Sequence, residues 1–142
     1  MEVRDIMTAP AIAVGQDENV TAAVRLLRRY NLGALPVCDG AGRLRGMVTD
    51  RDIALRCFSP EEGGAQTRIS EIMSRGIVTA SPGDSVETAA RTMAKERVRR
   101  LPVTENGRLV GMVSLCDMAR RRDCREVWTA AMQSISANIS RA

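Results

Sequence analysis

An internal duplication restricts this chain more than any other feature. Ile6-Met7 returns as Ile72-Met73, and Leu35-Pro36-Val37 returns as Leu101-Pro102-Val103, both 66 residues on (72 − 6; 101 − 35). Gly42-Arg43-Leu44-Arg45-Gly46-Met47-Val48-Thr49 returns as Gly107-Arg108-Leu109-Val110-Gly111-Met112-Val113-Ser114, at 65 (107 − 42), one residue having dropped from the turn. Asp52 aligns with Asp117. Two copies of one unit are too few for an array and predict a pseudo-twofold module. The seam of such a module is a natural place for a ligand. A half of about 60 residues is marginal alone, so the two are expected to share a core and fold together.

Each half spells the same order: strand, helix, strand, strand, helix. Residues 11–14 and 76–80 are short apolar pieces followed by turn residues. A helical stripe comes next, with Val20, Ala23, Val24 and Leu27 at i, i+3, i+4 and i+7, and Val86, Ala89, Ala90 and Met93 repeating it. Asp17 and Glu18, and Asp84 with Ser85, stand at the helix starts; Arg28 and Arg29, and Lys95 with Arg97, stand near the ends. That polarity suits the helix dipole. Strands at 34–37 and 100–103 lead to turns at 39–42 and 105–107 whose residues tolerate positive φ. Return strands at 43–48 and 108–113 lead to second helices starting at Thr49 and Ser114. Residues 59–68 have linker composition. The organisation read from this is a first repeat at 1–58, a linker at 59–68, a second repeat at 69–122 and a C-terminal helical extension at 123–142. In the extension Trp128, Met132, Ile135 and Ile139 form a stripe. It packs onto its own chain or presents a partner-binding or dimer-capping surface.

Composition narrows the chemistry. The chain has 44% hydrophobic and 27% charged residues, as an ordinary soluble protein does. With one Trp, one Tyr and one Phe, its core must be built from Val, Leu, Ile, Met and Ala. Net charge is +4, a mild excess that suits phosphate-bearing ligands or weak nucleic-acid contact without requiring either. No apolar run has the length of a membrane span, and Met1-Glu2-Val3-Arg4-Asp5 lacks the order of a secretion signal. Cys38, Cys57, Cys116 and Cys124 form no C-x-x-C pair. They read as reduced thiols of a cytoplasmic protein rather than a zinc site. A redox pair would require two of them to meet in space. There is no histidine, so no Ser-His or Cys-His nucleophile and no imidazole base can be assembled. Catalysis ranks last among the functions considered.

Thr49-Asp50-Arg51-Asp52 and Ser114-Leu115-Cys116-Asp117 close the two repeats. A carboxylate one turn into a helix can accept hydrogen bonds from both hydroxyls of a ribose. The hydroxyl at the helix start, with the free amides around it, can take a phosphate. Gly33 and Ala34 leave room for a flat base against backbone, and the prolines of the Leu-Pro-Val strands present a rigid apolar edge. The same four-residue patterns also match a helix capping box, and one hydroxyl can serve both purposes. Arg51, Arg99 and Arg100 are candidates for phosphate contact. Asp50 would repel a phosphate, and Arg99 and Arg100 could instead fill the second site or stay solvated. Arg120-Arg121-Arg122, with Arg125, is the densest basic cluster. It reads as a solvated helix face or as a contact for nucleic acid or an acidic partner, although aromatic residues for base stacking are missing nearby apart from Trp128.

The paired Gly-x-x-[Thr/Ser]-x-x-Asp motifs, each preceded by the same helix, Leu-Pro-Val strand and Gly turn, resemble the cystathionine-β-synthase (CBS) domain family. The likeness spans residues 3 to 54 and 69 to 119. Asp5-Ile6-Met7, Gly33-Ala34-Leu35-Pro36-Val37 and Val98-Arg99-Arg100-Leu101-Pro102-Val103 also look like the small stand-alone bacterial tandem-CBS proteins. The resemblance implies an α/β (α+β) fold: two pseudo-twofold-related β-α-β-β-α repeats packed sheet to sheet, a Bateman module, plus here a C-terminal helix. It implies two clefts between the repeats that take adenosine compounds, namely AMP, ADP, ATP or S-adenosylmethionine, with no cofactor required. It also implies a disc-shaped homodimer and a regulatory rather than catalytic role, with an unidentified protein effector. The site residues it points to are Thr49, Asp52, Ser114 and Asp117, with Thr79 placing a hydroxyl near the base; Ala34, Arg51, Arg99 and Arg100 join them from the reading of the residues themselves. The family often has Thr where this chain has Ala13, and the second half keeps it as Thr79, so equal occupancy of the two sites is in doubt. The alternatives are a ligand-free interaction module and, behind it, a nucleic-acid-binding protein.

Overall fold

The computed structural model describes residues 1–58 and 64–139, with residues 138 and 139 by backbone only. The described chain forms two compact units. One comprises Ala11–Ile77 with Gly107–Leu109; the other comprises Met1–Pro10, Val78–Asn106 and Val110–Ala142. Each unit is thus built on one repeat but completed by the segment that leads into the other. Residues 59–63 of the expected linker lie outside the described residues.

In the unit built on the first repeat, the elements are β1 (Val14–Gly15), α1 (Val20–Arg29), β2 (Ala34–Cys38), β3 (Leu44–Thr49), α2 (Asp50–Asp52) continuing as a π-helical turn over Ile53–Cys57, and α3 (Ile69–Ile72). β1 runs parallel to β2, with Val14 beside Val37, and β2 runs antiparallel to β3, with Ala34 opposite Thr49. The strand expected at 11–14 shortens to Val14–Gly15. The stripe of α1 buries Val20, Ala23 and Leu27. Its cap is Asn19, whose side chain accepts the Ala22 N–H at 3.3 Å, not Asp17 or Glu18; Glu18 Oε2 takes the Gly15 N–H instead, at 2.7 Å. At the β2–β3 turn Asp39 Oδ1 accepts the amides of Ala41 and Arg43 at 2.9 and 3.0 Å, and Oδ2 accepts from Arg45 Nε at 3.0 Å. The Arg43 amide, then those other partners, hold the Asp39 carboxyl below the usual carboxylate range.

The second unit holds a 3-10 turn at Val3–Asp5, α4 (Val86–Glu96), β4 (Arg100–Glu105), β5 (Arg108–Ser114), α5 (Leu115–Ala119), a 3-10 turn at Arg122–Cys124 and α6 (Arg125–Ile139). β4 and β5 pair as a two-stranded sheet. The strand expected at 76–80 is reduced to one parallel bridge between Ala80 and Val103, the counterpart of Val14 beside Val37. α4 is capped by Ser85, whose Oγ accepts the Thr88 N–H at 3.1 Å. α6 lies on its own chain: Ala131 and Ile135 are buried, and Val127, Trp128 and Met132 pack partly buried on the cluster that includes Met93 and Met118. The side chain of Ile139, the last member of the expected stripe, is outside the described residues.

The exchanged segments are bound in matching ways. Val3 and Arg4 donate their amides to the carbonyls of Asp84 and Pro82, at 2.8 and 3.0 Å, and Val86 donates to Met1 at 3.1 Å. Ile69 and Ser70 donate likewise to Glu18 and Gln16, at 2.9 and 3.0 Å, and Val20 donates to Thr67 at 2.8 Å. Further along, Thr8 and Met112 exchange both backbone bonds at 2.8 and 2.9 Å, as Ser74 and Met47 do at 2.8 and 3.0 Å. These approaches need glycine. A Cβ on Gly111 would sit 2.8 Å from the Thr8 carbonyl oxygen, and one on Gly46 would press still closer on that of Ser74. The buried apolar residues accordingly form two clusters, where chain length had suggested one shared core. Val3 and Ile6 belong to the cluster of the second repeat, and Ile69, Ile72 and Met73 to that of the first.

Candidate functional site

Each unit carries one hydroxyl–carboxylate pair at the end of its return strand. Thr49 leaves β3 in extended geometry (φ −117°, ψ 163°), which turns its side chain over the first amides of α2. The Asp52 N–H donates to Thr49 Oγ1 at 3.0 Å, and the Thr49 N–H donates to Asp52 Oδ2 at 2.9 Å. Ser114, also extended, repeats this: the Asp117 N–H donates to Ser114 Oγ at 3.2 Å and the Ser114 N–H to Asp117 Oδ2 at 2.8 Å, with Oγ itself 3.0 Å from Oδ2. Both patterns are therefore realised as capping boxes. The Asp52 and Asp117 side chains are 14% and 11% exposed.

The cap uses one oxygen of each carboxylate. The other, Oδ1, lies 3.9 Å from Arg56 Nε in the first unit and 3.8 Å from Arg120 Nη1 in the second. Those separations are ion pairs without a hydrogen bond, so the Oδ1 lone pairs stay open to a donor. The arginines also balance the charge. Neither Arg56 nor Arg120 was singled out as a partner of these aspartates from sequence. Their signal was the i, i+4 and i, i+3 spacing from the aspartates, which any helix surface offers.

The first-turn amides are less open than expected. Asp50 N–H donates to the Gly33 carbonyl at 3.0 Å, Arg51 N–H to Asp50 Oδ1 at 2.8 Å, and Asp52 N–H to Thr49 Oγ1. All three donors are taken, which corrects the reading that free amides here hold a phosphate. In the second unit Leu115 N–H donates to the Arg99 carbonyl at 2.9 Å, but Leu115 has no side-chain acceptor to play the part of Asp50. An anion at the first site must rely on arginine side chains.

The same contacts gather the other candidates. Ala34 is the cross-strand partner of Thr49, and Gly33 is fastened to Asp50, so Gly33, Ala34, Thr49 and Asp52 share one end of the β2–β3 hairpin. The open side of Gly33 faces Asp50, with Oδ2 3.7 Å from where a Cβ would stand. Arg51 is exposed. Arg99, exposed, and Arg100, half-buried, are brought beside Ser114 by the Leu115 bond. Thr79 is exposed beside the bridging Ala80 and makes no hydrogen bond to Ser114 or Asp117 among the described residues.

All four cysteines are free. Burial, then the Asp39 charge, pushes the Cys38 thiol up, and burial does the same first for Cys124. Among the described residues no three of Cys, Asp and Glu gather as a metal-sized group, and no helix is long and apolar enough to cross a membrane.

The CBS domain family matches this chain at residues 3–58 and 69–123. The CBS domain-containing protein YhcV of Bacillus subtilis is 40% identical over 134 residues, 94% of each chain. Hypoxic response protein 1 of Mycobacterium tuberculosis is 37% identical over 117 residues, 82% of each. Inosine-5'-monophosphate dehydrogenase of Methanocaldococcus jannaschii is 29% identical over 119 residues, 83% of this chain but 23% of that one. Among solved structures, Hypoxic Response Protein I with two coordinated zinc ions superposes with a TM-score of 0.78 at 36% identity, over 85% of this chain and 98% of that one. The CBS domain pair of protein MJ0100, in complex with 5'-methylthioadenosine and S-adenosyl-L-methionine, gives 0.73 at 30% identity, over 84% and 94%. CBSX2 in complex with AMP gives 0.73 at 27% identity, over 84% and 93%. With both repeats matched, and relatives this similar over most of its length, the chain belongs to the CBS domain family as a small tandem pair.

Proposed function

We propose that this chain is a regulatory sensor of an adenosine compound, AMP, ADP, ATP or S-adenosylmethionine, that works as a cytoplasmic homodimer and reports to a separate protein. The observation that carries the reading is the pair of matched boxes in which Oδ2 closes the cap and Oδ1 is left to accept. A ribose presents two hydroxyl donors side by side, and a carboxylate oxygen flanked by an arginine is a fitting acceptor. Ala34 opposite Thr49 keeps the base side of the first site small, and Arg51, Arg99 and Arg100 are the groups to meet phosphates. Solved CBS pairs holding AMP or S-adenosylmethionine support the same ligand class. Binding would act by favouring one arrangement of the chain or dimer over another.

A thermal-shift panel of AMP, ADP, ATP, S-adenosylmethionine and NADH, followed by calorimetry on any hit, tests this. At least one adenosine compound is expected to raise the melting temperature saturably. No shift with any of them would favour the second reading, a ligand-free interaction module. That reading draws on the closed boxes and on Asp50, which occupies the Arg51 amide and repels anions. It predicts that removing residues 123–142 abolishes partner capture. Light scattering that returns the mass of one chain, with and without ligand, would remove the homodimer.

A further inference from the structure

The basic cluster at the end of the second repeat lines a pocket. Arg120, Arg121, Arg122 and Arg125 surround it with Trp128 and Thr129, and its volume is about 580 Å³. That lies within the range of small-molecule sites. The backbone that carries the arginines is anchored. The Arg121 N–H donates to the carbonyl of Met118 at 3.1 Å, and the Cys124 N–H to that of Arg121 at 3.2 Å. Met118 and Cys124 are both buried in the core of this unit. The backbone of the loop is therefore pinned at each end, which roots four arginines around one small surface.

Among the described residues their charge is poorly met. Arg120 reaches Asp117 only at 3.8 Å and Arg121 reaches Asp123 at 4.0 Å. Among the described residues Arg122 and Arg125 have no carboxylate within 4.0 Å. The Thr129 hydroxyl is spent on the Arg125 carbonyl, at 2.8 Å, so the donors left facing the pocket are guanidinium groups. Trp128, partly buried against the core, provides a fixed aromatic wall.

We propose that this pocket is a binding site for a small anion carrying two or more phosphates, held chiefly by Arg122 and Arg125. Guanidinium forks match phosphate oxygens two at a time. A nucleic-acid strand fits less well, because it needs a row of aromatic platforms. The other large aromatics, Tyr30 and Phe58, belong to the unit built on the first repeat. Arg120 on its rim also flanks Asp117 Oδ1, but the site is held by Arg122 and Arg125 and needs no ribose, so it can be tested separately from the adenosine reading.

Trp128 is the only tryptophan in the chain, so intrinsic fluorescence reports on the pocket. The protein is titrated with pyrophosphate, with ATP and with a single-stranded oligonucleotide at physiological salt. A saturable change with pyrophosphate is expected, weakened about tenfold or more in the exposed-site double variant Arg122→Gln/Arg125→Gln. Calorimetry on Trp128→Phe should retain the pyrophosphate binding. The proposal is overturned by no saturable response to pyrophosphate or ATP, by an unchanged response in the double variant, or by a response to the oligonucleotide alone. Because pyrophosphate has no ribose, failure here is distinct from failure of the adenosine titration.

Discussion

Gly46→Ala should damage this protein more than any other single-methyl addition at its repeat glycines. The new Cβ would overlap the Ser74 carbonyl oxygen well inside the 3.0 Å that real Cβ contacts respect, with Met73 Sδ a further 3.1 Å neighbour. Ser74 is joined to Met47 by two backbone bonds, at 2.8 and 3.0 Å. Relief requires the segment carrying Ser74 to move outward and stretch both bonds beyond useful length. Losing two bonds at about 1 kcal/mol each, with some repacking of Met73, gives roughly 2–3 kcal/mol. For a chain of this size that is a fall in melting temperature of about 6–12 °C. At Gly111 the matching contact is 2.8 Å, so Gly111→Ala should cost about 1 kcal/mol. Gly33, whose nearest neighbour is at 3.7 Å, should tolerate Ala within about 0.5 kcal/mol. Urea unfolding of the three variants followed by circular dichroism measures the order. A Gly46→Ala protein as stable as Gly33→Ala would refute the exchanged-segment packing on which the estimate rests.

Three further outcomes follow from local geometry. Asp52→Asn keeps a carbonyl for the Thr49 amide but puts a donor where Oδ1 accepts. Stability should fall by less than about 1 kcal/mol, while AMP affinity by calorimetry falls about ten- to a hundredfold; equal affinity would speak against the role of Oδ1. Arg97 ends α4 in the left-handed region, at φ 58°, so Arg97→Gly should stabilise by roughly 0.5–1 kcal/mol in thermal unfolding, and a loss would contradict the strain. The Asp39 carboxyl is held low in the folded state. Its stabilising contribution is therefore present above its unfolded value and lost as pH falls through the folded one. The melting-temperature gap between wild type and Asp39→Asn should narrow below about pH 4, and a gap constant with pH would be contrary.

Much of this was legible in the residues. The i, i+3, i+4, i+7 stripes of α1 and α4 turn to the core, all but the partly buried Val24 being buried, and Thr49-x-x-Asp52 and Ser114-x-x-Asp117 spell the caps that form. Two things were not legible. The leading strands shrank to Val14–Gly15 and to the Ala80 bridge, because apolar composition does not fix how far a sheet-edge ladder runs. The exchange of Ile6-Met7 and Ile72-Met73 between repeats was hidden by the duplication itself. Gly46 and Gly111 offer equivalent clefts to either segment, and local pattern cannot choose between them. At the site, occupation of the Arg51 amide by Asp50 followed from a rotamer that sequence does not state.

The central claim, that Asp52 and Asp117 each reserve one carboxylate oxygen for a sugar diol, is tested most directly by comparing AMP with its 2',3'-dideoxy analogue in calorimetry on the unmodified chain. AMP should bind, and the analogue should bind at least about tenfold more weakly, since two charge-assisted hydrogen bonds are removed. Equal affinities for the two compounds would contradict it.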